Sequence, residues 1–235
     1  MRFDVVWGEA GASEAATRGS IAVVVDALRA SATIVAALVA GARRVLPVST
    51  VEQADAYLDD PAYRVAGERW GVRLPQFHYG NSPVEMQAHR DQLAGRTLVL
   101  TTSNGTRCVH AALPGAAAVL VGSTINATAV ARAAFSLAEQ YGCDVTLVAA
   151  GLGERETVED AFAVNLIGQQ LAQLGARSGS RLSPVCPSDS LQVFTRAAAR
   201  LIDLGYQADV CFCAGVDTVS LVPVYRDGGF VKYGC

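Results

Sequence analysis

Residues 21–48 read IAVVVDALRASATIVAALVAGARRVLPV, and the order of side-chain types in that stretch decides the fold. Ile21–Val25 is an unbroken apolar run rich in β-branched residues, the pattern of a strand covered on both faces. The polar turn Asp26-Ala27-Leu28-Arg29 follows, and then an Ala-rich stretch, Ala30–Val39, that predicts a helix ended by Gly41. A second apolar run occupies residues 45–48. Strand, helix and strand at this spacing describe a right-handed crossover between parallel neighbours.

The unit recurs on both sides of the chain's midpoint. Residues 97–100 predict a strand, 106–113 a helix and 118–121 a strand; Val145–Ala149 then leads into a helix over 158–174. Further helices fit residues 51–58, 83–93, 127–141 and 190–204. The tail has another character: 209–213, 218–225 and 229–233 read as short strands, the last two a hairpin through Arg226-Asp227-Gly228-Gly229. These signals predict a three-layer α/β/α fold with a largely parallel, mixed sheet and a short C-terminal antiparallel portion added at its edge. One α/β domain over residues 1–235 is expected, with a possible subdivision at the Gly-, Ser-, Arg- and Pro-containing connection near 175–188.

Composition narrows the function. Hydrophobic residues make up 51% and charged residues 17% of 235 residues, which suits buried parallel strands. No apolar stretch is long enough to span a bilayer, and the start, Met1-Arg2-Phe3-Asp4, lacks an apolar signal core, so a cytoplasmic protein is expected. The net charge of −3, with no run of lysines or arginines, argues against a nucleic-acid partner. Cys108, Cys143, Cys186, Cys211, Cys213 and Cys235 are expected as free thiols; Cys211 and Cys213 would share one face of a strand, a weak metal signal without a second pair. The apolar fraction also suggests a homodimer.

In a parallel sheet, ligands bind beyond the carboxyl ends of the strands, so the turns there hold the candidates. Asp26 leaves a strand with Arg29 three residues on: either a helix-start acid paired to Arg29, or a metal ligand or base beside an anion clamp. The turn Thr101-Thr102-Ser103-Asn104-Gly105-Thr106-Arg107 puts several hydrogen-bonding side chains between a strand and a helix N-terminus, an arrangement suited to phosphate. It lacks the G-x-x-x-x-G-K-[ST] pattern, so nucleotide hydrolysis is not indicated. Glu68-Arg69 closes another apolar stretch and alone reads as a surface ion pair. Ser82, Pro83 and Glu85 form a capping box, leaving Asn81 unexplained; Thr157 and Asp160 fit another cap, leaving Glu159. His89 and His110 fall in helices without site spacing, whereas His78 lies in a loop near the candidates.

Taken in order, Asp26-Ala27-Leu28-Arg29-Ala30-Ser31, Ala66-Gly67-Glu68-Arg69, Gly80-Asn81-Ser82-Pro83 and the 101–107 turn resemble the 2-phosphosulfolactate phosphatase family, with weaker support at Gly122-Ser123, Asn126 and Val158-Glu159-Asp160-Ala161. The resemblance runs from Ile21 to Val222. It implies a Mg²⁺-dependent hydrolase of coenzyme M biosynthesis that splits 2-phosphosulfolactate, a small anionic phosphorylated substrate, into sulfolactate and phosphate. It further implies Asp26, Arg29, Glu68 and Arg107 as catalytic groups, and Asp26 and Glu68 as Mg²⁺ ligands with Glu159 or Asp160. Substrate contacts would come from Ser31, Arg69, Asn81, Ser82, Thr101, Thr102, Asn104, Gly105 and Thr106, and the nucleophile would be a metal-activated water or Asp26. Phe77-His78-Tyr79 stands where the family usually has Phe-Asp, a departure that bears on the organic acid more than on the phosphate. Two rivals compete: a non-catalytic sensor of a phosphorylated metabolite, and a phospho-acid or phosphosugar isomerase using a base such as His78.

Overall fold

The computed structural model describes residues 1–153 and 155–234. The chain opens with β1 (Arg2–Trp7), α1 (Gly8–Thr17), β2 (Ile21–Val25), α2 (Ala30–Val39), β3 (Arg44–Pro47) and α3 (Val51–Asp55). Next come β4 (Tyr63–Arg69), β5 (Val72–Arg73), α4 (Pro83–Ala88), α5 (Arg90–Leu93), β6 (Thr97–Thr101) and α6 (Gly105–Ala112). The second half holds β7 (Ala118–Gly122), α7 (Ala127–Tyr141), β8 (Val145–Ala149), α8 (Val158–Gln173) and β9 (Arg177–Ser178). Three short helices, α9 (Ser190–Ala197), α10 (Ala199–Asp203) and α11 (Gln207–Cys213), precede the strands β10 (Pro223–Arg226) and β11 (Gly229–Lys232).

The sheet order is β5-β4-β6-β3-β11-β10-β7-β2-β8-β1-β9. Two blocks are parallel: β4, β6 and β3 on one side, and β7, β2, β8, β1 and β9 on the other. β2 is the spine of the larger block, with Val23 opposite Leu120 of β7 and Leu147 of β8. Its residues alternate between two cores. Ile21, Val23 and Val25 pack with Val130 and Leu137 of α7 and Phe162 and Ile167 of α8. Ala22 and Val24 face Ala12 and Ala15 of α1 and Val109 and Ala112 of α6. Helices therefore cover both faces, giving the three-layer α/β/α arrangement, and the absence of polar alternation in β2 follows from it. A third, smaller core (Val48, Ala54, Val65, Phe77, Val99) lies beneath α3. In α2 every residue from Ala30 to Leu38 is buried, as a helix apolar on all sides must be.

The antiparallel portion lies elsewhere than expected. The β10–β11 hairpin is not an edge; it joins the two parallel blocks, with Val224 opposite Leu120 of β7 and Phe230 opposite Val45 of β3. Both Val224 and Phe230 are buried. Shortness and a Gly-rich turn suggest an edge strand, but here they let the last strands fit between two finished blocks. Residues 209–213 are helical rather than extended, so Cys211 and Cys213 do not share a strand face: Cys211 is exposed and Cys213 buried. The five described cysteines are free, and Cys235 lies outside the described residues. β1 and α1 precede the first strand evident in the sequence, and the 83–93 and 190–204 helices each break in two, at His89 and Ala198. Among the described residues no helix is long and apolar enough to cross a membrane.

If Phe230 seals the joint between the blocks, Phe230→Ala should cost about 3–5 kcal/mol in equilibrium denaturant unfolding. A cost below about 1 kcal/mol would place that joint elsewhere.

Candidate active site

The two parallel blocks run in opposite directions across the antiparallel hairpin, yet the exits of β2, β4, β6 and β8 are bonded to one another, and three buried carboxylates collect there. Asp26 follows β2, Glu68 lies near the end of β4, and Asp160 sits in the first turn of α8. Each is held by backbone N–H groups of neighbouring strand exits. Asp26 Oδ2 accepts from Gly105 N–H at 3.0 Å and Oδ1 from Ala30 N–H at 3.4 Å, while Ser31 Oγ accepts from the Asp26 N–H at 2.9 Å. Asp160 Oδ1 accepts from Ala27 N–H at 2.7 Å and Oδ2 from Gly151 N–H at 2.8 Å, tying the exits of β2 and β8 together. Glu68 Oε2 accepts from Gly71 N–H at 2.6 Å, and Oε1 from Ser103 N–H and Oγ–H at 2.9 and 3.0 Å. Gly105 permits this approach: a Cβ there would lie 2.7 Å from Asp26 Oδ2.

Crowding shows in the electrostatics. Burial, then the charges of Asp160 and Glu68, push the Asp26 carboxyl up to about 8. Burial lifts Asp160 to about 6 against the pull of its two backbone donors, and Glu159 is raised by burial as well. Asp26, out of water and repelled by Asp160 and Glu68, is stabilised as an anion by a cation beside it. Among the described residues no three His, Cys, Asp or Glu side chains converge as a preformed metal cage. Mg²⁺ does not require one, because it keeps several waters and uses one or two carboxylates together with substrate phosphate. The oxygen-only donors of Asp26, Glu68 and Asp160 fit that preference.

The 101–107 turn serves this cluster. Its Ser103 and Gly105 N–H groups are committed to Glu68 and Asp26, so the anions it cradles are the protein's own. The hydroxyls expected to meet substrate are largely spent. Thr102 and Thr106 bond reciprocally, each hydroxyl accepting from the other's N–H at 3.3 Å. Thr101 Oγ1 accepts from Arg69 Nη2 at 3.0 Å, and Arg69 Nη1 donates to the Glu68 carbonyl at 2.6 Å. Asn104 Oδ1 accepts from Gly153 N–H at 3.1 Å rather than capping α6.

A cavity of about 410 Å³ opens beside the cluster, lined by Gly8, Glu9, Asn104, Arg107, Gly151 and Arg155 among others. Arg107 lies here, exposed, with Nη2 2.7 Å from Glu9 Oε1. Asn81 is buried, and its Oδ1 has no hydrogen-bond partner among the described residues, an unsatisfied acceptor of the kind a ligand fills.

Sequence comparison places the chain in a family. The family model described as 2-phosphosulpholactate phosphatase matches residues 9–228. The chain belongs to that family. It is 36% identical to the probable 2-phosphosulfolactate phosphatase of Thermus thermophilus, across 96% of this chain and 94% of that protein. It is 39% identical to the 2-phosphosulfolactate phosphatase of Methanothermobacter thermautotrophicus, across 88% of each. The match to the probable 2-phosphosulfolactate phosphatase of Deinococcus radiodurans is 35%, across 91% of each. The 2-phosphosulfolactate phosphatases are hydrolases of phosphoric monoesters, and the chain is an enzyme of that class.

Within the family frame, two residues expected at the substrate are instead structural. Arg29 is 2% exposed: Nη1 donates to Asp209 Oδ2 at 2.7 Å, Nη2 donates to the Gly71 carbonyl at 2.8 Å, and the guanidinium lies 4.1 Å from the centre of the Tyr206 ring. Both terminal nitrogens of this buried guanidinium are engaged by the protein itself. Ser82 caps α4 and donates to Asp209 Oδ1 at 2.6 Å. Asp209 was not evident because its segment reads as a strand, and only the helix α11 brings it to α2 and α4. Gly71 passes this restraint on, since its carbonyl faces Arg29 while its N–H holds Glu68. His78 Nδ1 accepts from Val65 N–H at 3.1 Å, a framework contact that removes the base an isomerase would use. Gly151 was missed although the strand-end rule that singled out Asp26 applies equally to the exit of β8.

Arg29→Met should destabilise the fold by about 3–5 kcal/mol in denaturant unfolding, because it strands a buried Asp209; a cost under about 1 kcal/mol would return Arg29 to the pool of substrate contacts. A pH dependence also follows. Asp26 and Asp160 bind protons more tightly folded than at their ordinary value of 3.8, so the folded chain holds the extra protons between about pH 4 and 8. Their contribution to stability then falls as pH rises through that window. Chelator-treated protein should lose melting temperature from pH 6 to pH 8, and Asp160→Asn should flatten the slope; identical slopes would remove Asp160 from the coupled cluster.

Proposed function

We propose that the protein hydrolyses the phosphate monoester of a small 2-hydroxy acid, with 2-phosphosulfolactate giving sulfolactate and inorganic phosphate, and that it does so with Mg²⁺. The observation that carries the reading is the trio of buried carboxylates, Asp26, Glu68 and Asp160, each pinned by backbone N–H groups at the strand ends. The names of the relatives supply the substrate class.

Phosphate monoester hydrolysis is among the slowest uncatalysed reactions, so most of the catalysis must come from positioning and charge. Held by Asp26 together with Glu68 or Asp160, Mg²⁺ would supply positive charge to the phosphoryl oxygens and acidify a water. Water adds at phosphorus, the bond from phosphorus to the ester oxygen breaks, and the alcohol leaves as the proton lost by water reaches it. Both Asp26 oxygens already accept N–H groups, which favours a fixed carboxylate over an attacking one and supports water as the nucleophile. Asp160, with both oxygens held by the Ala27 and Gly151 N–H groups, serves as a fixed carboxylate that ties the β2 and β8 exits together around the site. Arg69, anchored on Thr101, is a nearby cation to face the phosphoryl charge in place of Arg29.

Phosphate release from 2-phosphosulfolactate should be abolished by chelator and restored by Mg²⁺. Asp26→Asn should lower kcat by about 10²-fold or more, and near-normal activity in that variant would sink the assignment. As a readout independent of turnover, Mg²⁺ should raise the melting temperature of the wild-type protein at pH 8 and leave Asp26→Asn unmoved.

A further inference from the structure

We propose that the cavity beside the carboxylate cluster is a second anion subsite, holding the sulfonate or carboxylate of the substrate between Arg155 and Arg107. This rests on the phosphatase reading and extends it to Arg155, which lies outside the strings that carry the family resemblance. The cavity measures about 410 Å³, and among the described residues Arg107 and Arg155 are the cationic ones that line it. Two of its walls lead directly to the cluster. Asn104 precedes Gly105, whose N–H holds Asp26, and Gly151 uses its N–H to hold Asp160. The Asn104 side chain closes the gap between those walls by accepting from Gly153 N–H at 3.1 Å. A phosphoryl group at the carboxylates therefore places the rest of a three-carbon acid at the mouth of this cavity.

Charge makes the subsite necessary. A substrate bearing anionic groups besides the phosphate must bring them near three carboxylates, and Arg29, the nearest buried cation, is consumed by Asp209 and Gly71. Arg155 has no ion-pair partner among the described residues, and a guanidinium presents the paired donors that carboxylate and sulfonate oxygens accept. Arg107 is paired with Glu9, but side-chain exposures of 54% and 48% make this a surface pair, which opens at small cost. Among the described residues Glu9 is the acid lining the cavity, so it opposes an incoming anion and restrains Arg107 until one arrives. Gly151 fixes the position of Arg155: its φ is +66°, and a Cβ there would fall 2.5 Å from the Arg155 carbonyl oxygen.

Three esters read the subsite: 2-phosphosulfolactate, 2-phospholactate (without the sulfonate) and isopropyl phosphate (without either acid group). Arg155→Ala should lower the ratio of kcat/KM on 2-phosphosulfolactate to that on isopropyl phosphate by about 10–100-fold, mainly through KM, and Glu9→Gln should raise it. Loss confined to 2-phosphosulfolactate assigns the sulfonate; equal loss on 2-phospholactate assigns the carboxylate. Calorimetric titration with sulfolactate, which carries both acid groups and no phosphate, reads the same subsite without turnover: Arg155→Ala should bind it at least tenfold more weakly, with Arg155→Lys in between. Hydrolysis of all three esters with an unchanged ratio in Arg155→Ala, or unchanged sulfolactate affinity, overturns the subsite while the phosphatase reading stands. A wild-type protein that binds sulfolactate through Arg155 but hydrolyses none of the esters overturns the phosphatase reading and leaves the subsite in place.

Discussion

Asp26 is held out of water within reach of the charges of Asp160 and Glu68, and the strand exits where the three lie are organised around tolerating that repulsion. Each carboxylate is bound by N–H groups from a different strand exit, so the loops cannot move independently: Asp160 clamps 27 to 151, Asp26 clamps 30 to 105, and Glu68 clamps 71 to 103. Buried ionisable groups persist only when such partners are supplied. The Arg29–Asp209 pair extends the restraint outward, fastening α2, α4 and α11 behind the loop that holds Glu68. Stability and catalysis therefore oppose one another here, since the charge density that would gather a cation and a phosphate is also what the folded chain must bear when both are absent.

Much of this was legible in the chain because it is local. The crossover units announce themselves in Ile21–Val25 and Ala30–Val39, and the rule that ligands gather at strand ends led directly to Asp26, Glu68 and the hydroxyl-rich turn. What could not be read depends on separation. Arg29 looks like an anion clamp until Asp209, 180 residues away, is seen to occupy it. The hydroxyls of Thr101, Thr102 and Thr106 look available until the bond of the first to Arg69 and the reciprocal bonds of the other two are counted. Arg155 follows a glycine turn with no capping or periodic signal, and its place in the cavity arises only from the packing of α1 and α6 beside β8.

Glycine has a particular part in this arrangement. Gly105 and Gly151 each bring backbone N–H groups to a carboxylate at a distance or a dihedral that a Cβ would forbid. The donors are thus built from main chain, whose positions are set by the strands, while side chains such as Arg69, Arg107 and Arg155 remain to be varied. That division lets one scaffold retain its phosphate chemistry while the recognition of the attached acid changes.

The hairpin between the blocks bears on how the protein is made. Strands β3, β4 and β6 and strands β1, β2, β7 and β8 are all synthesised before residue 150, yet β3 and β7 reach one another only through β10 and β11. Until residue 232 has left the ribosome, the nascent chain carries two sheet fragments, each with an open strand facing the other. The β10–β11 hairpin acts as a keystone laid after both blocks, and the interval before it arrives is when an emerging chain most needs to be kept from pairing with its neighbours.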